Sequence, residues 1–314
     1  MKPRRRYHAP SIYYFDAVYR LGSIREAARS LDIASSAVSR QIQKLEYDLG
    51  VQLFERLPKG IVLTAAGESF AQHVRLVLQD SERVYSELEA LQGLQRGHIE
   101  ILSVEGPTVE LLPNLLEDFK QRYPNVSIGI RIAGSNSIPN DIIEGKADIG
   151  IVFDLERHPD LYQVKMGTFH FGAVVTPDHP LASKAQVTYE DCLPFPLILS
   201  KSDLSMYQKL ASLKGKLPTS CSIIESSSVA LSRNLALKGM GIAFQTKIGI
   251  ESDIEQCRLV HIPIINRVQL ISELGLYVRA KRTLPVAVDF LVREMANEIE
   301  RLSLKHNDAN LASV

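Results

Sequence analysis

Ser23–Gly50, SIREAARSLDIASSAVSRQIQKLEYDLG, holds two helical patterns with only a short turn between them, and this pairing constrains the chain more than any other feature. Ser23 with Glu26 three residues later has the form of a capping box. Ala27, Ala28 and Leu31 face inward, and the two small side chains let a neighbouring helix approach closely. Asp32-Ile33-Ala34 supplies the turn, and Ser35 is expected to cap the next helix. In that helix Val38, Ile42, Leu45 and Leu49 recur at helical spacing and form a buried stripe. The opposite side presents Ser36, Ser39, Arg40, Gln43 and Lys44. With Ser35, the groups in its first turns lie where a recognition helix meets base edges. Arg can bridge guanine O6 and N7, and Ser can serve a base edge or a phosphate. A polar face alone equally describes a solvated surface helix. Its coupling to a tight, capped, Ala-rich partner favours a helix-turn-helix.

The flanks extend this unit. A preceding helix starts at Pro10-Ser11, with Ser11 as the expected N-cap. It buries Ile12, Phe15, Val18 and Tyr19 and ends at Gly22. After Gly50, VQLFER has strand character, and LPKGIVLT has the form of a hairpin with its tip at Pro58-Lys59-Gly60. Such a wing puts Arg56 and Lys59 at phosphate height, and Arg4, Arg5 and Arg6 make a basic arm that adds salt-sensitive affinity. The charge distribution agrees. Residues 1–63 carry 11 Lys/Arg against 6 Asp/Glu, leaving 25 against 30 in the rest of a chain that is neutral overall. A basic end on an acidic body suits a polyanion at one end only.

From Ala65 to Leu94 there is no proline, and glycine occurs only near the ends. Phe70, Val74, Val77, Ser81, Val84, Leu88 and Leu91 recur with the 3.5-residue period of a heptad seam, interrupted once by Ser81. The spacing predicts a long helix that pairs with a second copy, with Phe70, Val74, Val77, Val84, Leu88 and Leu91 as the contact residues. Gln95-Arg96-Gly97 is the expected hinge. The predicted divisions are thus 1–64 for the DNA-binding domain, 65–96 for the linker helix and hinge, and 97–314 for the remainder.

Beyond the hinge, strand-like and helical runs alternate. Strands are predicted at 98–104, 126–132, 148–153, 169–176, 197–200, 222–225, 242–244, 259–263 and 274–279. Helices are predicted at 109–122, 138–144, 204–213, 228–238 and 285–302, with a polar, frayed end from His306. The βαβ order argues for an α/β fold with parallel sheet. It divides into two half-sized units, about 97–168 with 271–302 and about 169–270, with a cleft between them. Ser, Thr and Asn cluster at the strand-to-helix joints: Thr108; Ser135, Asn136 and Ser137; Ser200 and Ser202; and Ser226 to Ser228. These side chains beside unpaired backbone N–H groups suit an anion such as a carboxylate. Helix capping is the ordinary role of the same residues, and the two roles are compatible. The Thr108, Ser135, Asn136, Ser137, Ser200, Ser202 and Ser227 side chains are the candidate ligand contacts. Glu105 near the first joint disfavours an anion there.

Other classes find little support. There is no P-loop, G-x-G-x-x-G, H-E-x-x-H or G-x-S-x-G, and no legible acid–base–nucleophile spacing among eight scattered histidines. No metal ligand set or cofactor motif is present. Cys192, Cys221 and Cys257 have no zinc or C-x-x-C spacing and are expected to be reduced, mostly structural thiols. No apolar run is long enough to predict a transmembrane helix. Met1–Pro10 has no apolar segment after it, so the chain is expected to have no signal peptide and to lie in the cytoplasm.

The run from Ser23 to Gly67 contains A-A-x-x-L, A-V-S-x-x-I-x-x-L-E, L-G-x-x-L-F-x-R and L-T-x-A-G, and it closely resembles the N-terminal domain of LysR-type transcriptional regulators. LLPNLLEDFKQRYPNV, EGKADIGIVF, VVTPDHPLA and LALKGMGIAF fall where that family has them, so the resemblance covers nearly the whole chain. It implies a winged helix-turn-helix, a dimerising linker helix and an effector domain of two subdomains built like a periplasmic binding protein. It also implies no enzymatic activity, and double-stranded DNA, a small-molecule effector, further copies of the chain (dimer or tetramer) and RNA polymerase as partners. One residue departs from the pattern. The family most often has Gln at the start of the recognition helix, where this chain has Ser35. Gln can read adenine bidentately and Ser cannot, so the departure bears on the base contacted there. Two other readings of the residues remain: a solute-binding protein whose first helices only mediate assembly, and a cytosolic enzyme on a two-lobed fold.

Overall fold

The structure, a computed structural model, describes residues 8–57, 60–91, 97–201, 209–210, 222–266 and 268–311. The chain divides into two compact units, Met1–Leu88 and Glu89–Val314.

The first unit contains α1 (Pro10–Leu21), α2 (Ile24–Leu31), α3 (Ser35–Leu49), the antiparallel hairpin β1 (Phe54–Leu57) and β2 (Gly60–Leu63), and most of α4 (Ala65–Leu91). Its core joins Phe15 and Val18 of α1, Ala27 and Ala28 of α2, Val38 and Ile42 of α3, Leu53, and Ala71 and Val74 of α4. Ala27 and Ala28 are buried, as close helix packing requires. Gly67 serves the same end, because a Cβ there would lie 2.0 Å from the Leu53 carbonyl oxygen.

Several local expectations are corrected. α1 starts at Pro10 with Ala9 before it and no side-chain cap, so Ser11 is not the N-cap; proline at the first helical position needs no N–H partner. Ser23 does cap α2, but Glu26 turns forward to Arg29 (2.9 and 3.0 Å) instead of closing the box. Ala34, not Ser35, holds the cap position of α3, and no side chain caps it. Leu49 is 44% exposed and lies outside the buried stripe, because α3 has run past its neighbours by its last turn.

The second unit contains two five-stranded sheets. The first is built from β3 (Gly97–Ser103), β4 (Val126–Ile132), β5 (Ile149–Phe153), β6 (Leu161–His170) and β14 (Ile271–Arg279), in the order β4-β3-β5-β14-β6. The second is built from β7 (Gly172–Val175), β8 (Leu197–Ser200), β9 (Ile223–Ser226), β10 (Ile242–Gln245) and β11 (Val260–Pro263), in the order β11-β7-β10-β8-β9. Strands β12 (Ile265–Asn266) and β13 (Val268–Gln269) form a separate two-stranded ladder. Each large sheet is mixed, not parallel throughout. Three strands pair in parallel, and a single reversed strand, β14 in one sheet and β7 in the other, pairs antiparallel on both of its sides.

Helices cover both faces. In the first half these are α5 (Leu111–Arg122), α6 (Ile138–Ile143) and the long last helix. In the second half they are α7 (Tyr189–Cys192), α8 (Val229–Leu237) and α9 (Glu251–Glu255). Two-sided burial explains why β5, β7, β8 and β10 are almost continuously apolar. The predicted strand 169–176 is in fact two strands, divided at buried Phe171, where the chain leaves one sheet for the other. Phe171 N donates to Leu270 O (2.8 Å) on the returning crossover. The first predicted helix starts later, at Leu111, after a 3-10 turn over Gly106–Thr108. The last helix, α10 (Val286–Leu311), continues past the predicted fraying point because His306 packs edge-on against Phe169 and is buried. The predicted helix 204–213 lies largely outside the described residues.

Two polar arrangements hold this unit. Asp148 Oδ1 accepts from Arg282 Nη1 (2.7 Å) and its Oδ2 accepts from Glu100 N (2.9 Å), with the Asp148 and Arg282 side chains nearly buried. Glu110, from the first half, accepts from Ser252 N and from Ser252 Oγ (2.9 Å) at the start of α9. The backbones of the halves meet nearby. Gly249 has φ +83°, and a Cβ there would lie 2.6 Å from Gly106 O, so glycine is required on both counts.

Removing Asp148 strands the Arg282 charge in a low-dielectric setting. Asp148→Ala is expected to cost about 3–5 kcal/mol in urea denaturation, and a cost below about 1 kcal/mol would contradict the pairing. A second test uses Glu251. Burial, and then the charge of Glu110, push its carboxyl up to about 7. The folded chain therefore keeps a proton that the unfolded chain releases near pH 4.5, so this group opposes folding increasingly as pH rises from about 4.5 to about 7. Glu251→Gln should match the wild type at about pH 4 and exceed it at pH 8 by on the order of 1–3 kcal/mol. No gain at pH 8 would refute this assignment.

Candidate nucleic-acid interface and ligand cleft

α3 reaches solvent along the face that the sequence singles out. Ser35, Ser36, Arg40, Gln43 and Lys44 are exposed and Ser39 is partly exposed. None of them makes a side-chain hydrogen bond or ion pair within the described residues. Because Ser35 caps nothing, its hydroxyl and the first-turn N–H groups of α3 remain available to a partner. Arg56 stands in β1 opposite Ile61 of the wing, and Lys59 and Arg4–Arg6 lie outside the described residues. Glu46 fixes the root of the wing, a role the sequence reading missed. Its Oε1 accepts from Leu53 N (2.8 Å) and Phe54 N (3.1 Å), tying the end of α3 to the start of β1. Thr64 does the same on the other side, donating to Gln52 O (2.7 Å) and accepting from Gly67 N (3.0 Å).

The heptad residues of α4 divide in two. Val74 is buried in the first unit's core, and Phe70 packs edge-on against Phe15 with ring centroids 4.9 Å apart. Val77 and Ser81 are partly buried, and Ser81 Oγ donates back to Val77 O (2.8 Å). Val84 (37%) and Leu88 (47%) are exposed. Leu91 is the last residue of the helix.

Between the two sheets of the second unit lies a cavity of about 220 Å³. Val104, Ile132, Ala133, Phe153, Val229 and Ile248 supply apolar wall, and Glu105, Ser135, Ser227, Gln245 and Thr246 supply the polar atoms. Of the predicted contacts, Ser135 and Ser227 line it. Thr108 does not, and its hydroxyl donates to Glu105 O (2.6 Å) within the 3-10 turn. Ser137 donates to Gly134 O (3.1 Å), Asn136 is exposed, and Ser200 is buried at the end of β8. None of these three is in the wall, and Ser202 lies outside the described residues. Gln245 and Thr246 were missed because they close an apolar strand whose pattern ends at Phe244.

Glu105 crosses the cleft. Its carboxylate accepts from Ser228 Oγ (2.8 Å), Val229 N (2.5 Å) and Ala230 N (3.3 Å), the first N–H groups of α8. Ser228 Oγ in turn accepts from Leu231 N (3.1 Å). The helix start that suits an anion therefore already holds one from the chain itself.

No described group of three or more His, Cys, Asp or Glu could hold a metal ion, and no described helix is long and apolar enough to cross a membrane. Cys192 is buried, and desolvation pushes its thiol up to about 12, which leaves it inert near neutral pH. Cys257 is exposed, and Cys221 lies outside the described residues.

Residues 11–68 match the model of bacterial regulatory helix-turn-helix proteins of the lysR family, and residues 92–299 match the LysR substrate binding domain. The HTH-type transcriptional regulator AlsR of Bacillus subtilis is 31% identical over 190 residues, 60% of this chain and 62% of its own length. The match to SsuR of Burkholderia cenocepacia likewise spans 62% of that relative. A probable RuBisCO transcriptional regulator of Porphyra purpurea is 27% identical over 89% of this chain and 90% of its own. Among solved structures, a full-length OxyR variant of Pseudomonas aeruginosa superposes with a TM-score of 0.72 at 18% identity, over 91% of this chain and 96% of that one. Full-length CbnR in complex with its target DNA gives 0.59 at 19% identity, over 92% and 98%. These structural likenesses, at such identities, speak to the fold. With family models matched on both of its parts, the chain belongs to the LysR family of bacterial regulatory helix-turn-helix proteins.

Proposed function

We propose that the protein is a DNA-binding transcription regulator whose output is set by a small molecule bound between the two halves of its second unit. The observation that carries this reading is the exposed, unengaged row Ser35, Ser36, Ser39, Arg40, Gln43 and Lys44 on the second helix of a winged helix-turn-helix. Divided by role, 1–64 reads DNA, 65–96 joins copies and 97–314 takes the effector. Arg40 reads a base edge, and Arg56 and Lys59 sit on phosphates. CbnR, a relative in fold, has been seen with its target DNA, which supports the same partner here. The exposed Val84 and Leu88 support a second copy, and paired readers raise effective concentration on two half-sites. Phe70 and Val74 act within the unit and steady α4 against the reader. RNA polymerase is a further partner of a regulator, and the cytoplasm is the compartment that fits one.

The effector site is the cavity between the sheets. A ligand there acts by stabilising one relative setting of the two halves over another, and the coupling equals its difference in affinity for the two. Of the Ser/Thr/Asn clusters expected to favour a carboxylate, only Ser135 and Ser227 line the cavity, the latter beside the helix start at Val229. Glu105 on that same helix start opposes that class.

Arg40→Ala is expected to weaken binding to the protein's own operator by about 1–3 kcal/mol and to relax specificity. Titrations showing unchanged affinity and preference would remove Arg40 from the reader. Val84→Asp with Leu88→Asp is expected to shift the protein to monomers in sedimentation velocity, and an intact oligomer would place the self-association elsewhere.

A further inference from the structure

We infer that Glu105 is a built-in occupant of the cleft's anion seat, and that the remaining cavity accepts a small uncharged ligand bearing an oxygen acceptor, not a carboxylate. The inference rests on reading the cavity as the effector site and names the chemical class that site takes.

The seat is a real one. α8 runs from Val229 to Leu237, and its first free N–H groups, with the Ser228 hydroxyl, converge on one carboxylate. A carboxylate from solution would have to displace a tethered copy of itself, whose effective concentration is on the order of millimolar or higher. If it bound beside Glu105 instead, two like charges would share a poorly solvated space. Among the described residues no Lys, Arg or His lines the cavity, so none offsets a second anion. Burying an unpaired charge against Val104, Ile132, Phe153 and Ile248 is strongly unfavourable.

The polar atoms left over point to the acceptable class. Gln245 is only 3% exposed and lines the cavity, and its Nε2, without a hydrogen-bond partner among the described residues, is itself closed off and meets a ligand when the side chain turns. Ser135 Oγ, on the opposite half, is also buried and unpartnered among them. Natural interiors rarely leave such atoms unsatisfied. An amide N–H donor calls for an acceptor and repels a cation. A carbonyl or comparable neutral oxygen, with an apolar remainder against the walls, meets the Gln245 donor without adding charge. Glu105 meanwhile holds α8 to the first half, so the ligand enters a cleft that is already latched.

The test uses the full-length protein and matched sets of probes: benzamide, benzoate and benzylamine, and butyramide, butyrate and butylamine. Binding is read by thermal shift and calorimetry. The wild type is expected to be stabilised by the amides, with benzoate, butyrate and the amines at least about tenfold weaker. Gln245→Leu should lose the amide response. Glu105→Ser vacates the seat and should gain carboxylate binding by about tenfold or more. Glu105→Gln, which keeps the size but presents an N–H to the helix donors, should gain in the same direction and serves if the serine variant does not fold. Carboxylates binding the wild type as tightly as they bind the Glu105 variants, or more tightly than the amides, would overturn the inference while leaving the cavity as the effector site. Amines binding best would assign Glu105 as a counter-ion and overturn it equally. Amide binding that survives Gln245→Leu, or no response from any probe in any variant, would overturn the cavity reading itself.

Discussion

The backbone N–H groups that every helix leaves unpaired at its start organise this molecule. At five helix starts the chain brings a side-chain oxygen to them: Ser23 at α2, Thr64 at α4, Thr188 at α7, Ser228 and Glu105 at α8, Glu110 at α9. Two of those oxygens come from carboxylates of the opposite half, so capping and the joining of the halves are one interaction. The proposed recognition helix, like α1, α5 and α6, has no such side chain. Its start has Ala34 at the cap position, and in a DNA reader the donors there would face phosphate. An open start where the ligand is a polyanion and a closed start in the cleft are complementary uses of the same electrostatics.

This division gives the regulator a mechanical logic. Asp148 with Arg282 braces the first half, while Glu105 and Glu110 contact the second half only at helix ends. The halves are joined by a few charged contacts, two crossovers and Ile248, which is buried in the first half's core, so a hinge-like change of setting also shifts that side chain. A ligand that engages Gln245 on one side and Ser135 on the other adds a tie between the same halves, and the equilibrium moves by whatever that tie is worth.

Much of this was legible in the sequence. The stripe Val38–Ile42–Leu45 and the Ala27–Ala28 pair are local patterns, and local patterns survive folding. The apolar runs of β5, β7, β8 and β10 were legible because both faces of each strand are buried. What was lost depends on distance in space. β6 was missed over Leu161–Thr168, and its division from β7 at Phe171 is set by a partner far along the chain, Leu270. Leu49 matched the stripe, yet nothing lies opposite it. Thr108, Asn136 and Ser137 shared a composition with Ser135, and only the path of the loop decides which of them meets the cavity. Glu105 was visible as a charge that disfavours an anion. That it is itself the anion on α8 follows only from the fold.

Two copies of α3 are proposed to read DNA together. Selection of bound sequences from a random duplex library with the full-length protein tests it most directly. The account predicts enrichment of a two-fold symmetric site with half-sites about 34 Å apart, or a multiple of that, bound with an affinity that falls steeply as salt rises. Enrichment of a single unpaired half-site, or no enrichment above the starting library, would contradict it.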